Sequence, residues 1–199
     1  MFKLFKRIFD ILFSLFFLIL FLPIILFAII IISILDFHLP FFIQSRSGLN
    51  GEKIDIIKLK TMKNVNGIKK ITKIGYFLRL SKIDELPQLI NVLINDMSII
   101  GPRPLYIEFN KYYKKKHDFR IKVKPGITGL AQIKIKDSTN WNRKFNFDYI
   151  YTKKMSYDLE IFILIETVKK ILKSIFIKKE RAFEITDYKK NFYENYVNG

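Results

Sequence analysis

Cysteine is absent, and histidine occurs only twice, as His38 and His117. The first absence excludes disulfides and thiolate chemistry and suits a reducing compartment. The second leaves too few ligands for a zinc centre. Acidic residues are also scarce: 35 Lys+Arg stand against 18 Asp+Glu, a formal net charge of +17. Such a surface attracts anions, whether phosphorylated metabolites, acidic lipid headgroups or nucleic acid. Apolar material is plentiful, since half of the 199 residues are hydrophobic, with Phe 20 and Tyr 10. That is enough for a core, and it excludes a disordered chain. The length fits one domain, or a domain with an appendage.

Charge is missing altogether from Ile11 to Leu35, where only Ser14, Pro23 and Ser33 fall outside the hydrophobic set. A run of this length is a membrane candidate. It exceeds a signal-peptide core and has no small-x-small cleavage pattern. Two arrangements compete. A single spanning helix would keep Lys3, Lys6 and Arg7 inside and place the rest of the chain outside the cytoplasm. A helix bent at Pro23 would instead return to the side it entered. The basic residues Lys53, Lys58, Lys60, Lys63, Lys69 and Lys70 on the far flank favour the second. Asp10, at the edge of the run, calls for a cation, and Arg7 or Lys6 one turn back is the expected partner.

Asp36 to Pro40 reads as a connector, and Gly48 to Gly51 as a turn between two short strands. Lys63 to Lys70 reads as a loop around Gly67, and Thr72 to Leu80 as a helix. From Asp84 to Ile94, Leu86, Leu89, Ile90, Leu93 and Ile94 form one helical stripe. Glu108 to Lys116 has a helical composition. "KPGITGLAQIKIK" reads as a turn leading into a strand. Tyr157 to Lys179 predicts a long amphipathic helix with lysines including Lys178 and Lys179. Its apolar side, Ile161, Ile165, Val168, Leu172 and Ile175, either packs on the core or lies in a membrane interface. The tail after Glu180 is polar.

"SKIDELPQL", Ser81 to Leu89, puts two carboxylates side by side in this basic chain. With Asp84 as N-cap, Pro87 falls in the first helical turn, where a missing N–H costs little. Capping at Ser81 would push Pro87 deeper, so the first frame is preferred. An ionised carboxylate there can cap, ligate Mg²⁺ or attack phosphorus. Glu85 has no need to be present for capping. "GPRP" fixes Arg103 between Pro102 and Pro104, a stiff presentation suited to bidentate phosphate contact. "KLKTM" and "FLRLS" add Lys58, Lys60 and Arg79 as further cations.

These pieces resemble a known family, the small monotopic phosphoglycosyl transferases of the bacterial sugar transferase superfamily. "KRIFDILFS", the proline-broken hydrophobic segment, "QSRSG", "KLKTM", "GYFLRLSKIDELPQLINVL", "NDMSIIGPRPL" and "PGITGLAQ" occur in family order. The resemblance implies an α+β, predominantly helical fold. A re-entrant membrane helix bent at Pro23 would occupy residues 1–36. A catalytic domain with amphipathic interfacial helices and a short sheet would occupy 37–180, followed by a polar tail, 181–199. It implies a monotopic protein of the bacterial inner (cytoplasmic) membrane, its domain on the cytoplasmic face. The implied reaction moves a sugar 1-phosphate from a UDP-sugar, an N-acetylated hexosamine derivative by family habit, to undecaprenyl phosphate. UMP is released by a ping-pong route. Asp84 would be the nucleophile and would share Mg²⁺ with Glu85. Lys58, Arg79 and Arg103 would hold phosphates, and Asp148 in "FDYIY" would orient Lys58. The sequence departs from many relatives after "GLAQ", with Ile135 and Lys136 where a Gly-Arg pair is usual. Lys136 keeps the charge and loses the planar fork.

Other classes explain less. A non-catalytic, membrane-anchored basic interaction protein accounts for the apolar run and the charge, but gives the acidic pair and Arg103 no purpose. A nucleic-acid binder is not expected, because the basic residues form no compact recognition module.

Overall fold

A computed structural model describes residues 1–36, 39–65, 67–113, 115–135 and 140–176. His38, Lys136, Lys178, Lys179 and the tail after residue 180 lie outside the described residues. The architecture is α+β and predominantly helical, with short strands. The chain folds as two compact units. One holds Met1–Arg46 with Lys53–Ile99, the other Ser47–Glu52 with Ile100 onward.

The first unit opens with α1, Phe2–Asp36, which runs as a helix through Pro23. Phe9, Phe13, Phe17 and Phe21 form a ladder at four-residue spacing, with centroids 5.3, 4.3 and 5.7 Å apart. The helix is long and apolar enough to cross a membrane, and most of it is exposed. It meets the rest of its unit near both ends. Arg7 donates to Val92 O and Leu93 O at 2.7 and 2.9 Å, while Ala28 and Ile32 pack with Leu59 and Leu78. Asp10 does not pair with Arg7 or Lys6 as expected; its buried carboxylate accepts from the Ile99 amide at 3.0 Å. Arg7 is drawn away to these two carbonyls, of which Val92 O also accepts from Asn95 N at 3.1 Å.

Strands β1, Phe41–Ser47, and β2, Lys53–Leu59, pair across the predicted turn. The predicted loop 63–70 is instead an antiparallel hairpin. β3, Met62–Val65, faces β4, Ile68–Ile71, with Met62 opposite Ile71. Gly67 takes the left-handed conformation (φ 80) that closes the turn. Helix α2, Lys73–Ser81, follows as predicted, its Thr72 side chain accepting from Gly75 N at 2.9 Å. Gly75 lies on the Thr61 carbonyl, where a Cβ would collide. Lys82 (φ 63) then ends α2, and α3 covers only Gln88–Leu93. The single helix expected from Asp84 is thus a 3₁₀ turn, Ile83–Glu85, followed by a short α-helix. β5, Ser98–Ile100, closes the unit.

In the second unit, the expected helix over Glu108–Lys116 is replaced by two 3₁₀ segments, Ile107–Tyr112 and Lys115–Lys122. β6, Gly126–Thr128, leads into a helix, α4, Leu130–Lys134, where a strand was expected. Helix α5, Trp141–Lys153, starts from the Asn140 side chain, which accepts from Arg143 N. Leu105, Phe109, Trp141 and Phe145 form the core of this unit. Helix α6, Tyr157–Phe176, buries Glu160 and Ile163, and its predicted apolar stripe does not pack on the core. Ile161, Ile165, Val168, Leu172 and Ile175 remain 40–55% exposed.

Three glycines explain the "GPRP" and "PGITG" motifs. Gly101 N donates to Thr128 O, and Gly126 N donates to Pro102 O, each at 2.9 Å. A Cβ on Gly101 would sit 2.5 Å from Lys124 O; one on Gly126 would strike Gly101 N, and one on Gly129 would strike Gly101 O. Backbone cannot yield as a flexible side chain can. Gly126→Ala is therefore expected to cost about 1–3 kcal/mol, read as a lower denaturant midpoint at unchanged m-value.

Candidate active site

The acidic pair is held by backbone geometry that has little to do with capping. Lys82 turns the chain out of α2 in a left-handed conformation, and the 3₁₀ turn then carries Asp84 and Glu85 inward. Each is 8% exposed. The expectation that Asp84 caps the helix fails, because Pro87 (φ −59, ψ −19) is the N-cap of α3 and makes no side-chain bond. Asp84 Oδ1 is buried and accepts no hydrogen bond.

Glu85 takes the cations. Lys58 Nζ lies 2.8 Å from Glu85 Oε1, and Lys82 Nζ lies 3.8 Å from Oε2. Arg79 donates through Nε to Thr61 Oγ1 at 2.8 Å. Its burial lowers its pKa, and the charges of Asp84 and Glu85 act in the opposite direction. Burial first, and then the charge of Glu85, pushes the Asp84 carboxyl up from 3.8 to about 6, against the pull of Lys82, Lys58 and Arg79. Asp84 is thus a carboxylate with an available oxygen, poised to titrate near neutrality.

Asn91 sets the register of this arrangement. Its Nδ2 donates to Asp55 O at 2.9 Å, and its Oδ1 accepts from Ile57 N at 3.1 Å. The side chain mimics a neighbouring strand along β2, and the next residue of β2 is Lys58. Sequence reasoning passed over Asn91, since an Asn in an apolar stripe carries no local signal of a partner 36 residues away. Lys60 is half-buried and is tied at its amide to Pro40 O at 2.7 Å.

The remaining predicted residues belong to the second unit. Arg103 is half-buried between the buried Pro102 and Pro104. Its carbonyl accepts from Arg120 at 3.0 Å. The same guanidinium donates to Asp148 Oδ2 at 2.8 Å and to Tyr113 OH at 2.9 Å, and stacks 4.8 Å from the Phe145 ring centroid. Asp148 is held by Arg120, and Lys58 by Glu85. Burial pushes the Asp148 carboxyl up, and Arg120 opposes it. A shallow cleft lined by Ser47, Arg103, Tyr113, Arg120 and Pro125 opens beside this cluster. Arg120 was missed from the sequence because nothing marks one arginine among many as buried.

The residues suit phosphoryl chemistry. A carboxylate nucleophile needs a free oxygen, and cations nearby must offset the charge of the group attacked. The two carboxylates also fit a Mg²⁺ ion. Among the described residues, no group of three or more His, Cys, Asp or Glu forms a closed metal cage. Asp84 and Glu85 would hold such an ion with waters and substrate phosphate oxygens, as Mg²⁺ commonly requires.

Comparison with known proteins agrees. A family model described as bacterial sugar transferase matches residues 1–174. EpsL, an uncharacterized sugar transferase of Bacillus subtilis (strain 168), is 39% identical over 179 residues, 86% of this chain and 89% of EpsL. UDP-glucose:undecaprenyl-phosphate glucose-1-phosphate transferase of Escherichia coli (strain K12) is 37% identical over 147 residues, 65% of this chain and 32% of that protein. Undecaprenyl-phosphate galactose phosphotransferase of Salmonella typhimurium is 38% identical over 104 residues, 52% of this chain and 22% of that protein. The chain thus spans most of EpsL and a third or less of the other two. Asp84, Glu85, Lys58, Arg79, Arg103 and Asp148 all lie inside the matched residues, and with that match the chain belongs to the bacterial sugar transferase family.

Proposed function

We propose that this chain transfers a sugar 1-phosphate from a UDP-sugar to undecaprenyl phosphate, releasing UMP, through a covalent intermediate on Asp84. The observation that carries this reading is the state of Asp84, buried with an oxygen that accepts no hydrogen bond while Glu85 engages the lysines. Structural carboxylates in a fold are satisfied; a nucleophile must be available. The activities that the relatives' names carry, transfer of glucose 1-phosphate to undecaprenyl phosphate and galactose phosphotransfer, support the reaction class.

In the first step an Asp84 oxygen attacks the β-phosphorus of the UDP-sugar. The bond from that phosphorus to the bridging oxygen breaks, and UMP leaves with the oxygen. In the second step a phosphate oxygen of the lipid attacks the same phosphorus, the aspartyl–phosphorus bond breaks, and the lipid diphosphate sugar departs with Asp84 restored. Lys58, Arg79 and Arg103 are proposed to bind phosphate oxygens, and Glu85 keeps Lys58 in place. Mg²⁺, held by the acidic pair, would offset negative charge on the diphosphate. The relatives' names carry glucose and galactose, so these donors stand beside the N-acetylated hexosamines in the panel to be tried.

The test is turnover in nanodiscs with Mg²⁺ and UDP-sugars. With undecaprenyl phosphate present, the expected nucleotide product is UMP; UDP would identify an ordinary glycosyl transferase. Without the lipid, a burst of at most one UMP per enzyme molecule is expected, leaving a radiolabelled phosphosugar on the protein. No burst and no label would sink the covalent step.

The membrane arrangement proposed is re-entrant, at the cytoplasmic face of the inner membrane, with the exposed stripe of α6 against lipid. Its support is that residues near both ends of α1 contact one compact unit. From Asp10 to Ile32 a straight helix would cover about 33 Å, roughly the hydrocarbon thickness, and would part those contacts across the bilayer. Single cysteines at Lys3 and Leu39 are expected to label from the same side of sealed vesicles. Labelling from opposite sides would establish a spanning helix.

A further inference from the structure

Gln88 is 3% exposed, and its Nε2 is buried without a hydrogen-bond partner. It follows the acidic pair along a helical path. Leu86 (φ −57, ψ −37) and Pro87 (φ −59, ψ −19) are both right-handed helical. Leu86 N bonds Ile83 O, and Leu89 N bonds Leu86 O. Residues three and four apart on such a path share a face, so Gln88 stands one turn from Glu85 and Asp84 on their side.

Two buried polar atoms on this face, Asp84 Oδ1 and Gln88 Nε2, are both unsatisfied. One is an acceptor and the other a donor, and they do not satisfy each other. A buried donor without a partner is costly, and a ligand oxygen or water that completes it removes that cost. The nearby cations cannot substitute fully, since Glu85 holds Lys58 and Lys82 and Thr61 holds Arg79 Nε. A carboxamide N–H can donate to an anionic oxygen without neutralising the adjacent nucleophile, as an ammonium would.

We infer that Gln88 is a further substrate-contact residue, its side-chain N–H donating to a non-bridging oxygen of the phosphoryl group that Asp84 attacks. The inference rests on the reaction proposed above. It assigns a role in the reaction to the fifth residue of the Asp84–Gln88 run, which a purely structural glutamine would not have.

The experiment measures the lipid-independent UMP burst and thermal stability for Gln88→Met, Gln88→Glu and Asp84→Asn. Gln88→Met fills similar volume without a donor. Its burst rate is expected to fall about 10- to 100-fold, the weight of one hydrogen bond to a charged group, with Tm at or above the parent's. Gln88→Glu keeps the shape and sets an anion against the phosphoryl group; its burst is expected to fall at least as far. A parental burst rate in Gln88→Met overturns the inference. If both rate and Tm fall in Gln88→Met, Gln88→Glu decides, because a parental rate there makes the glutamine structural and a slowed one supports the contact. Loss of the burst in Asp84→Asn beside a normal burst in the Gln88 variants would refute this inference alone. A normal burst in Asp84→Asn would refute the reaction beneath it.

Discussion

Asp84→Asn is expected to lose transfer activity by about 10³-fold or more while gaining stability. The two effects have one origin. Asp84 is buried beside Glu85, and both conditions disfavour its charged form, raising its pKa from 3.8 to about 6. At neutral pH the folded chain must nevertheless hold it ionised. A shift of that size corresponds to at most roughly 3 kcal/mol of destabilisation, which the neutral amide relieves. Because the folded pKa is raised, the native state binds the proton more tightly than the unfolded chain. As far as this group is concerned, stability is highest below about pH 4, declines as pH rises towards 6, and levels off above. Activity runs the other way, since attack on phosphorus needs the carboxylate. The UMP burst is expected to rise with pH through about 6 and then to plateau. Denaturation curves of parent and Asp84→Asn at pH 5 and pH 8 check the linkage: the variant's advantage should be larger at pH 8. An advantage that is absent, or larger at pH 5, would contradict the assigned direction of the shift.

The contrast between Asp84 and Asp10 shows what could be read from the sequence. α1 was legible because no charge interrupts Ile11 to Leu35, and α2 because Thr72 caps a periodic segment. The partner of Asp10 was not, because the Ile99 amide lies 89 residues away. Asp84 was found as a candidate by its setting among basic residues, but its local geometry was misread. Residue types favoured a cap, whereas the left-handed turn at Lys82 had already moved the helix start to Gln88. The hairpin at Met62–Ile71 was hidden because its strands carry lysines where an apolar alternation would announce a sheet. α5 was hidden for a related reason. Its buried face, Trp141, Phe145, Asp148 and Tyr151, includes a carboxylate that the distant Arg120 pairs there.

Arg120→Met is expected to destabilise the protein by about 3–5 kcal/mol, the largest stability loss predicted for a single substitution in the chain. The guanidinium and the Asp148 carboxylate are each about one-twentieth exposed (5% and 4%) and meet at 2.8 Å. Removing the cation leaves a buried carboxylate without its counter-charge, and the charged form cannot recover that loss from solvent. Arg120 also joins three places in the chain, donating to Asp148, Tyr113 OH and Arg103 O across separations of 28, 7 and 17 residues. The pair as such need not stabilise the fold. Arg120→Met combined with Asp148→Leu should therefore recover most of the loss, since well-packed apolar residues commonly replace a buried ion pair without penalty. Arg120→Lys separates stability from function. It can keep a charge on Asp148, but a single ammonium lacks the planar fork that reaches Tyr113 and the Arg103 carbonyl together. If that carbonyl bond fixes how Arg103 is presented between its prolines, Arg120→Lys will stay folded while the KM for the UDP-sugar rises. The double variant will be stable and similarly impaired. An Arg120→Lys enzyme with parental KM would show that Pro102 and Pro104 alone suffice to aim Arg103.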